Sequence, residues 1–135
     1  MNQPRHNSLI SFGKALNKLK EFLDEPVVND RDKAGIIQAF EFCFELSWKT
    51  LQKRMVAHNK TVGSPRQAFQ AAFELGWISD DVNSEGVDAW SLLVDDRNLT
   101  SHAYEEEVAN AVLKRVREQH YPRLKKLYDQ LSAVV

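Results

Sequence analysis

Apolar residues recur along this chain at steps of three and four, the period of an amphipathic helix, and no stretch alternates as a strand would. Leu9, Phe12, Leu16, Leu19 and Phe22 or Leu23 mark a first helix, starting near Ser8 and ending before Pro26. Asp30 is the expected N-cap of a long second helix. Its apolar face runs Ile37, Phe40, Phe44, Trp48, Leu51, Met55, widened by Ile36, Cys43 and Leu46. Glu45 and Lys49 stand four apart on its wet side in the favourable order, and the helix is expected to end around His58-Asn59. The third helix is closely punctuated, with Ser64 as N-cap, Pro65 at the first helical position and Gly76 at the end. Ala68, Phe69, Ala72, Phe73 and Leu75 supply its core face. Trp77-Ile78 leads through a polar turn, Ser79 to Gly86, into a fourth helix. The last segment opens with Glu105-Glu106-Glu107, acids that suit the positive end of a helix dipole. Val108, Val112 (or Ala111), Val116, Tyr121, Leu124, Leu127 and Leu131 carry its pattern onward, and Pro122 must kink or break it.

Five helices on short connections predict an all-α fold, an up-and-down antiparallel bundle. The 135 residues read as a single helical domain, 1–135, with residues 1–7 a flexible N-terminal tail. An apolar fraction of 43% with 27% charged residues excludes a disordered chain. No apolar run approaches the roughly 18 residues of a membrane span, and the polar N-terminus lacks a signal-peptide core. Cys43 is the only cysteine, so no intrachain disulfide forms and a cytoplasmic location is expected. His6, His58, His102 and His120 are scattered without ligand spacing, so no metal site is expected. The five glycines are isolated, which leaves no phosphate loop or dinucleotide fingerprint and no expected cofactor.

The net charge of −1 excludes a wholesale polyanion binder, but the charge is segmented. Residues 1–70 carry 11 Lys/Arg against 7 Asp/Glu, and residues 113–135 carry 6 against 2. Between them, residues 71–112 hold 10 acids and one base, Arg97. In the fourth helix Val87, Trp90, Val94, Arg97 and Ser101 fall at steps of 3, 4, 3 and 4, so Arg97 lies on the apolar stripe. A guanidinium there needs a partner. One reading is a structural ion pair with Asp95, Asp96 or a residue on another helix; the other is an anion-binding arginine whose planar fork suits phosphate.

His102 follows five residues after Arg97. On one continuous helix that step rotates by about 140°, so the two share a site only if the helix ends near Thr100. Thr100 and Ser101 favour such an end. An imidazole that moves protons near neutral pH, beside a guanidinium, has the parts for phosphodiester chemistry. A surface histidine next to a structural arginine has the same spacing.

The R-x4-H-x-Y motif, Arg97-Asn98-Leu99-Thr100-Ser101-His102-x-Tyr104, resembles that of the HEPN superfamily. With Phe42-x-x-Glu45-Leu46-x-Trp48-Lys49-x-Leu51 and Ser64-Pro65-Arg66, the chain looks more narrowly like the nucleotidyltransferase substrate-binding protein family, whose toxin members are called HepT. The likeness extends over roughly residues 8–130. The resemblance implies a homodimer in which two such motifs meet in an interface cleft and cut RNA without a metal. His102 would be the general acid/base, Arg97 would bind the scissile phosphate, and Asn98, Thr100 and Ser101 would shape the turn or contact RNA. A minimal nucleotidyltransferase would act as antitoxin by adenylylating Tyr104. The alternatives are a non-catalytic subunit that binds substrate or nucleotide for such a partner, and a plain helical interaction module.

The charge segments fit RNA binding only in part. Lys14, Lys18, Lys20, Lys53, Arg54, Lys114, Arg115 and Arg117 either line a cleft or are solvated helix faces, and the acidic run suits a basic partner equally. Trp48, Trp77 and Trp90 read as core or interface aromatics before base-stacking platforms. His120 is expected to cap carbonyls freed at Pro122, Cys43 to be a buried thiol, and Glu41 and Glu45 to be solvated.

Overall fold

A computed structural model describes residues 4–79 and 88–133. Six helical segments follow in order: α1 (Pro4–Asp24), α2 (Asp30–Val56), α3 (Pro65–Glu74), α4 (Ala89–Leu99), α5 (Glu106–Arg115) and α6 (Tyr121–Ala133). A single π-helical turn, Val116–His120, joins α5 to α6, so the two run on as one irregular rod. The described residues thus form the expected five-rod helical bundle, and no β-strand lies among them. Short connections make chain neighbours antiparallel. At 27 residues, about 40 Å by helix rise, α2 is the central element, packed against α1, α3, α5 and α6.

The ends of the helices follow local chemistry. Asn29, not Asp30, is the N-cap of α2, its side chain accepting from the Asp32 N–H at 2.9 Å. Asp30 is instead the first helical residue, where its charge still suits the dipole. Helix α1 begins at Pro4, a turn before the expected start at Ser8, so the chain read as a tail over 1–7 is already helical from Pro4. Ser64 caps α3 by accepting from the Gln67 N–H, with Pro65 at the first position as expected. Gly76, at φ +77°, lets the Trp77 N–H reach the Ala72 carbonyl at 2.8 Å and close the helix. Asn59, at φ +59°, closes α2 in the same way, Lys60 N–H reaching Met55 at 2.9 Å. Asp88 caps α4; residues 80–86 of the expected polar turn and Val87 lie outside the described residues.

The core gathers Phe12, Leu16 and Leu19 from α1, Ile36, Phe40, Phe44, Leu51 and Met55 from α2, Leu93 from α4, and Val112, Leu124 and Leu127 from the last rod. Each such fully buried side chain contributes roughly 1.5–3 kcal/mol. Of the alternatives at the end of α1, Leu23 is buried and Phe22 is exposed; in α5 it is Val112 that is buried. Phe73 departs from expectation and is exposed, because the inner stripe of the short α3 is already filled by Ala68, Phe69, Ala71 and Ala72. Cys43 is buried as expected, and burial pushes its thiol up to about 12. Trp90 packs against Phe69 with centroids 5.0 Å apart, and its indole N–H donates to the Ser79 carbonyl.

Pro122 does not break the last rod. An unbroken α-helix would drive the proline ring into the carbonyl four residues back. The π turn avoids this by adding a residue, the Tyr121 N–H reaching back to the Val116 carbonyl. His120, the last residue of the turn, is fully buried and caps no free carbonyl, contrary to the sequence expectation.

Candidate active site

Helix α4 ends at Leu99 and Thr100–His102 tightens into a 3-10 turn, the helix end that the Arg97 and His102 spacing requires. Ser101 holds the turn by donating its hydroxyl to the Asn98 carbonyl at 3.0 Å. The Ala103 N–H donates to the Thr100 carbonyl and the Glu105 N–H to the His102 carbonyl. Thr100 is buried, and its single hydroxyl proton has two acceptors at 2.6 Å, the Glu41 Oε2 and the Arg97 carbonyl.

Arg97 is about one-third exposed and points from α4 towards α2. Its Nη1 lies 3.4 Å from Glu41 Oε2 and donates to the Thr100 hydroxyl at 3.2 Å. Its Nε is 4.0 Å from Glu45 Oε1, buried and without a hydrogen bond. Nη2 makes no hydrogen bond to the described residues, so that end of the guanidinium keeps two donors. The partner thus lies on another helix, one of the readings left open by the sequence. Glu41 and Glu45, expected to be merely solvated, supply it.

His102 and Tyr104 both face solvent. The His102 side chain is 57% exposed, its Nδ1 4.0 Å from Glu105 Oε2, and Tyr104 is 82% exposed. Their rings lie 6.2 Å apart. Within one chain no hydrogen bond joins Arg97 and His102. The Asn98 side chain is exposed beside them. A cavity of about 650 Å³ between α3 and α4 is lined by Phe69, Phe73, Trp90 and Val94, among others, and by none of Arg97, His102 or Tyr104. No group of three or more potential metal ligands occurs among the described residues.

The fully buried charge on α4 is Asp96, beside Arg97. Arg115 grips it with a bidentate fork, Nε to Oδ2 at 2.6 Å and Nη2 to Oδ1 at 2.8 Å. His120 Nε2 donates to Oδ2 at 2.6 Å, since a carboxylate only accepts. Burial pushes the Asp96 carboxyl up, but the hydrogen bonds from His120 and Arg115 outweigh it and hold the group below its ordinary range. A signal for both residues exists in the sequence. His120 falls four after Val116 and four before Leu124, and Asp96 falls three after Leu93 and four before Thr100, each on a buried stripe.

Residues 7–133 match the family model described as nucleotidyltransferase substrate binding protein like. A protein of Haemophilus influenzae named probable ribonuclease HepT is 32% identical over 95 residues, a match covering 67% of this chain and 61% of that protein. A crystal structure of a Thermus thermophilus protein is similar at a TM-score of 0.72 and 31% identity, covering 90% of this chain and 96% of the other. With the helical bundle and the Arg97–Tyr104 turn, these matches show that the chain belongs to the HepT-like, nucleotidyltransferase substrate-binding family of HEPN proteins.

Proposed function

We propose that this chain is a toxin-type HEPN ribonuclease that acts as a homodimer and cuts RNA without a metal. The observation that carries the reading is the Arg97 guanidinium, held by Glu41 and Thr100 at one end and open at Nη2 at the other, one turn before an exposed His102. One chain presents the two groups without joining them, and a second copy would complete a cleft between two such turns. A phosphate oxygen is the ligand that the open end of Arg97 suits.

In this cleft His102 takes the proton of a ribose 2′-hydroxyl, and the 2′-oxygen attacks the adjacent phosphorus. Arg97 stabilises the added negative charge on the phosphorus oxygens. The bond from phosphorus to the 5′-oxygen breaks, and that oxygen takes a proton from an imidazole, leaving a 2′,3′-cyclic phosphate and a 5′-hydroxyl. A minimal nucleotidyltransferase acts as antitoxin. The Tyr104 phenolic oxygen attacks the α-phosphorus of ATP, pyrophosphate leaves, and an adenylyl group stays on a side chain two positions from His102. The 82% exposure of Tyr104 supports its access to such a partner.

The test is cleavage of tRNA and total RNA by purified, unmodified protein in EDTA, beside Arg97→Ala and His102→Ala variants of matched helicity. Loss in both variants, with cyclic-phosphate ends from the wild type, is expected. A second reading is a binding subunit that presents nucleotide to its partner. The family description favours it, and so do the two carboxylates that offset the Arg97 charge. Absence of cleavage with retained nucleotide binding would select it.

A further inference from the structure

Asp96, Arg115 and His120 have no part in the chemistry just described, yet they occupy the interior directly behind it. Asp96 pins the last turn of α4 to the final rod through both its oxygens. Consecutive helical residues point about 100° apart, so fixing Asp96 inward sets the direction in which Arg97 leaves the helix, towards α2. The His120 ring stacks on Phe40, centroids 5.5 Å apart and planes at 19°. Phe40 is the residue before Glu41, and Glu41 holds both Arg97 and Thr100. The contacts therefore close a ring: Arg97 to Glu41, along α2 to Phe40, across to His120, on to Asp96, and back along α4 to Arg97.

We propose that the buried Asp96–Arg115–His120 network is a positioning device for Arg97, and that RNA cleavage depends on it although none of the three touches substrate. The proposal rests on the ribonuclease reading. A buried ion pair is a poor source of stability, because apolar residues of similar volume do as well or better. What it supplies here is direction: the carboxylate accepts along fixed lines from two donors on different turns. His120 closes the π turn, where it meets Asp96 and Phe40 together.

The experiment compares the full-length wild type with His120→Phe, which keeps a ring against Phe40, and with the Asp96→Leu/His120→Phe double variant, which replaces the buried pair by apolar groups. Two readouts are taken on protein of matched helicity. The first is steady-state RNA cleavage, resolved into kcat and KM. The second is the side-chain order of Arg97, from nitrogen-15 relaxation of its Nε–H. Positioning predicts a fall in kcat of about ten- to a hundredfold with KM changed by less than about twofold, and loss of Arg97 order in both variants. A variant whose melting temperature alone moves, with kcat and Arg97 order at wild-type values, overturns the proposal. If His120→Phe does not fold, the double variant decides alone. If the wild type cuts no RNA, the ribonuclease reading fails, and the Arg97 order still decides whether the network positions that side chain.

Discussion

The proton of the Thr100 hydroxyl faces a choice that a double-mutant cycle can read. Two acceptors stand at 2.6 Å, the Glu41 carboxylate and the Arg97 carbonyl, and there is one proton. A hydrogen bond to a charged acceptor is worth roughly 1.5–3 kcal/mol when desolvated. Glu41 keeps 31% of its side chain exposed, which brings the expected coupling down to about 1–1.5 kcal/mol. Thr100→Val removes the hydroxyl at nearly constant volume, and Glu41→Met removes the acceptor while keeping the side chain's length. Urea unfolding of wild type, both single variants and the double variant, at pH 7 and one protein concentration, gives the coupling free energy. Thr100→Val alone should lower the melting temperature by about 4–6 °C for a chain of this length. A coupling smaller than about 0.4 kcal/mol, within ordinary additivity, would refute the reasoning. The proton would then close the turn on its own helix, and Glu41 would be held by Arg97 alone.

Asp96 titrates below its ordinary range, so its ionised pairing stabilises the fold above about pH 4 and is lost as pH falls through its own lower value. The stability gap between wild type and Asp96→Asn, from urea midpoints, should be full at pH 7 and close only on acidification below about pH 4; closure between pH 7 and 5 would contradict this. A methyl group on Gly13 would sit 2.8 Å from the Tyr128 ring, where α1 crosses α6, so Gly13→Ala should cost about 1–3 kcal/mol and be relieved by Tyr128→Leu. A neutral Gly13→Ala in chemical denaturation would mean that the end of the Tyr128 ring moves aside at little cost. Tyr104→Phe should retain RNA cleavage while escaping the nucleotidyltransferase; full inhibition of that variant by the partner would show that binding, not modification, is the control. With one Arg97 from each protomer of the proposed dimer as the phosphate contacts, the affinity of His102→Ala for single-stranded RNA should fall with log salt at a slope of about −1.4. A slope beyond about −3.5 would bring the flanking lysines and arginines into the cleft.

What the sequence displayed clearly is what neighbours in the chain decide. Ser64, Pro65 and Gly76 punctuate α3 because capping and a positive φ are local chemistry. Pro122 announces an irregularity for the same reason, although only packing chose a π turn over a break. The Asn29 and Asp30 exchange shows the resolution of such reading, since either side chain can cap and one residue separates them. The candidate site is legible in the same measure: Thr100 and Ser101 mark the turn between Arg97 and His102. Contacts across the bundle are not. Glu41 and Glu45, four apart, present the same pattern whether they face water or a guanidinium on another helix, and only the approach of α4 distinguishes the two. Asp96 and Arg97 are adjacent charges on a half-apolar helix, and periodicity pointed to the arginine as the buried one. The fold buries the aspartate, because Arg115 and His120 await it there.

The segmented charge of the chain now has a physical account. Two carboxylates of the acidic middle reach the basic segments, Asp95 pairing with Arg66 of the first and Asp96 with Arg115 of the last, while Glu105, Glu106 and Glu107 stay exposed. Asp88 caps α4, and Glu106 and Glu107 lie in the first turn of α5. The exchange also runs in reverse, for Arg97, the one base of the middle segment, is held by Glu41 and Glu45 of the first. Folding thus pairs charges from different blocks at these points; the exposed Asp95–Arg66 pair adds little stability on its own, whereas Asp96 is buried against Arg115. The pairs tie α4 to α3, to α5 and to α2. The two carboxylates spent on neighbouring helices repel an RNA phosphate less than the bare sequence suggests. The same pairing leaves Arg97 Nη2 without a hydrogen bond to the described residues, one turn from the solvent-facing His102.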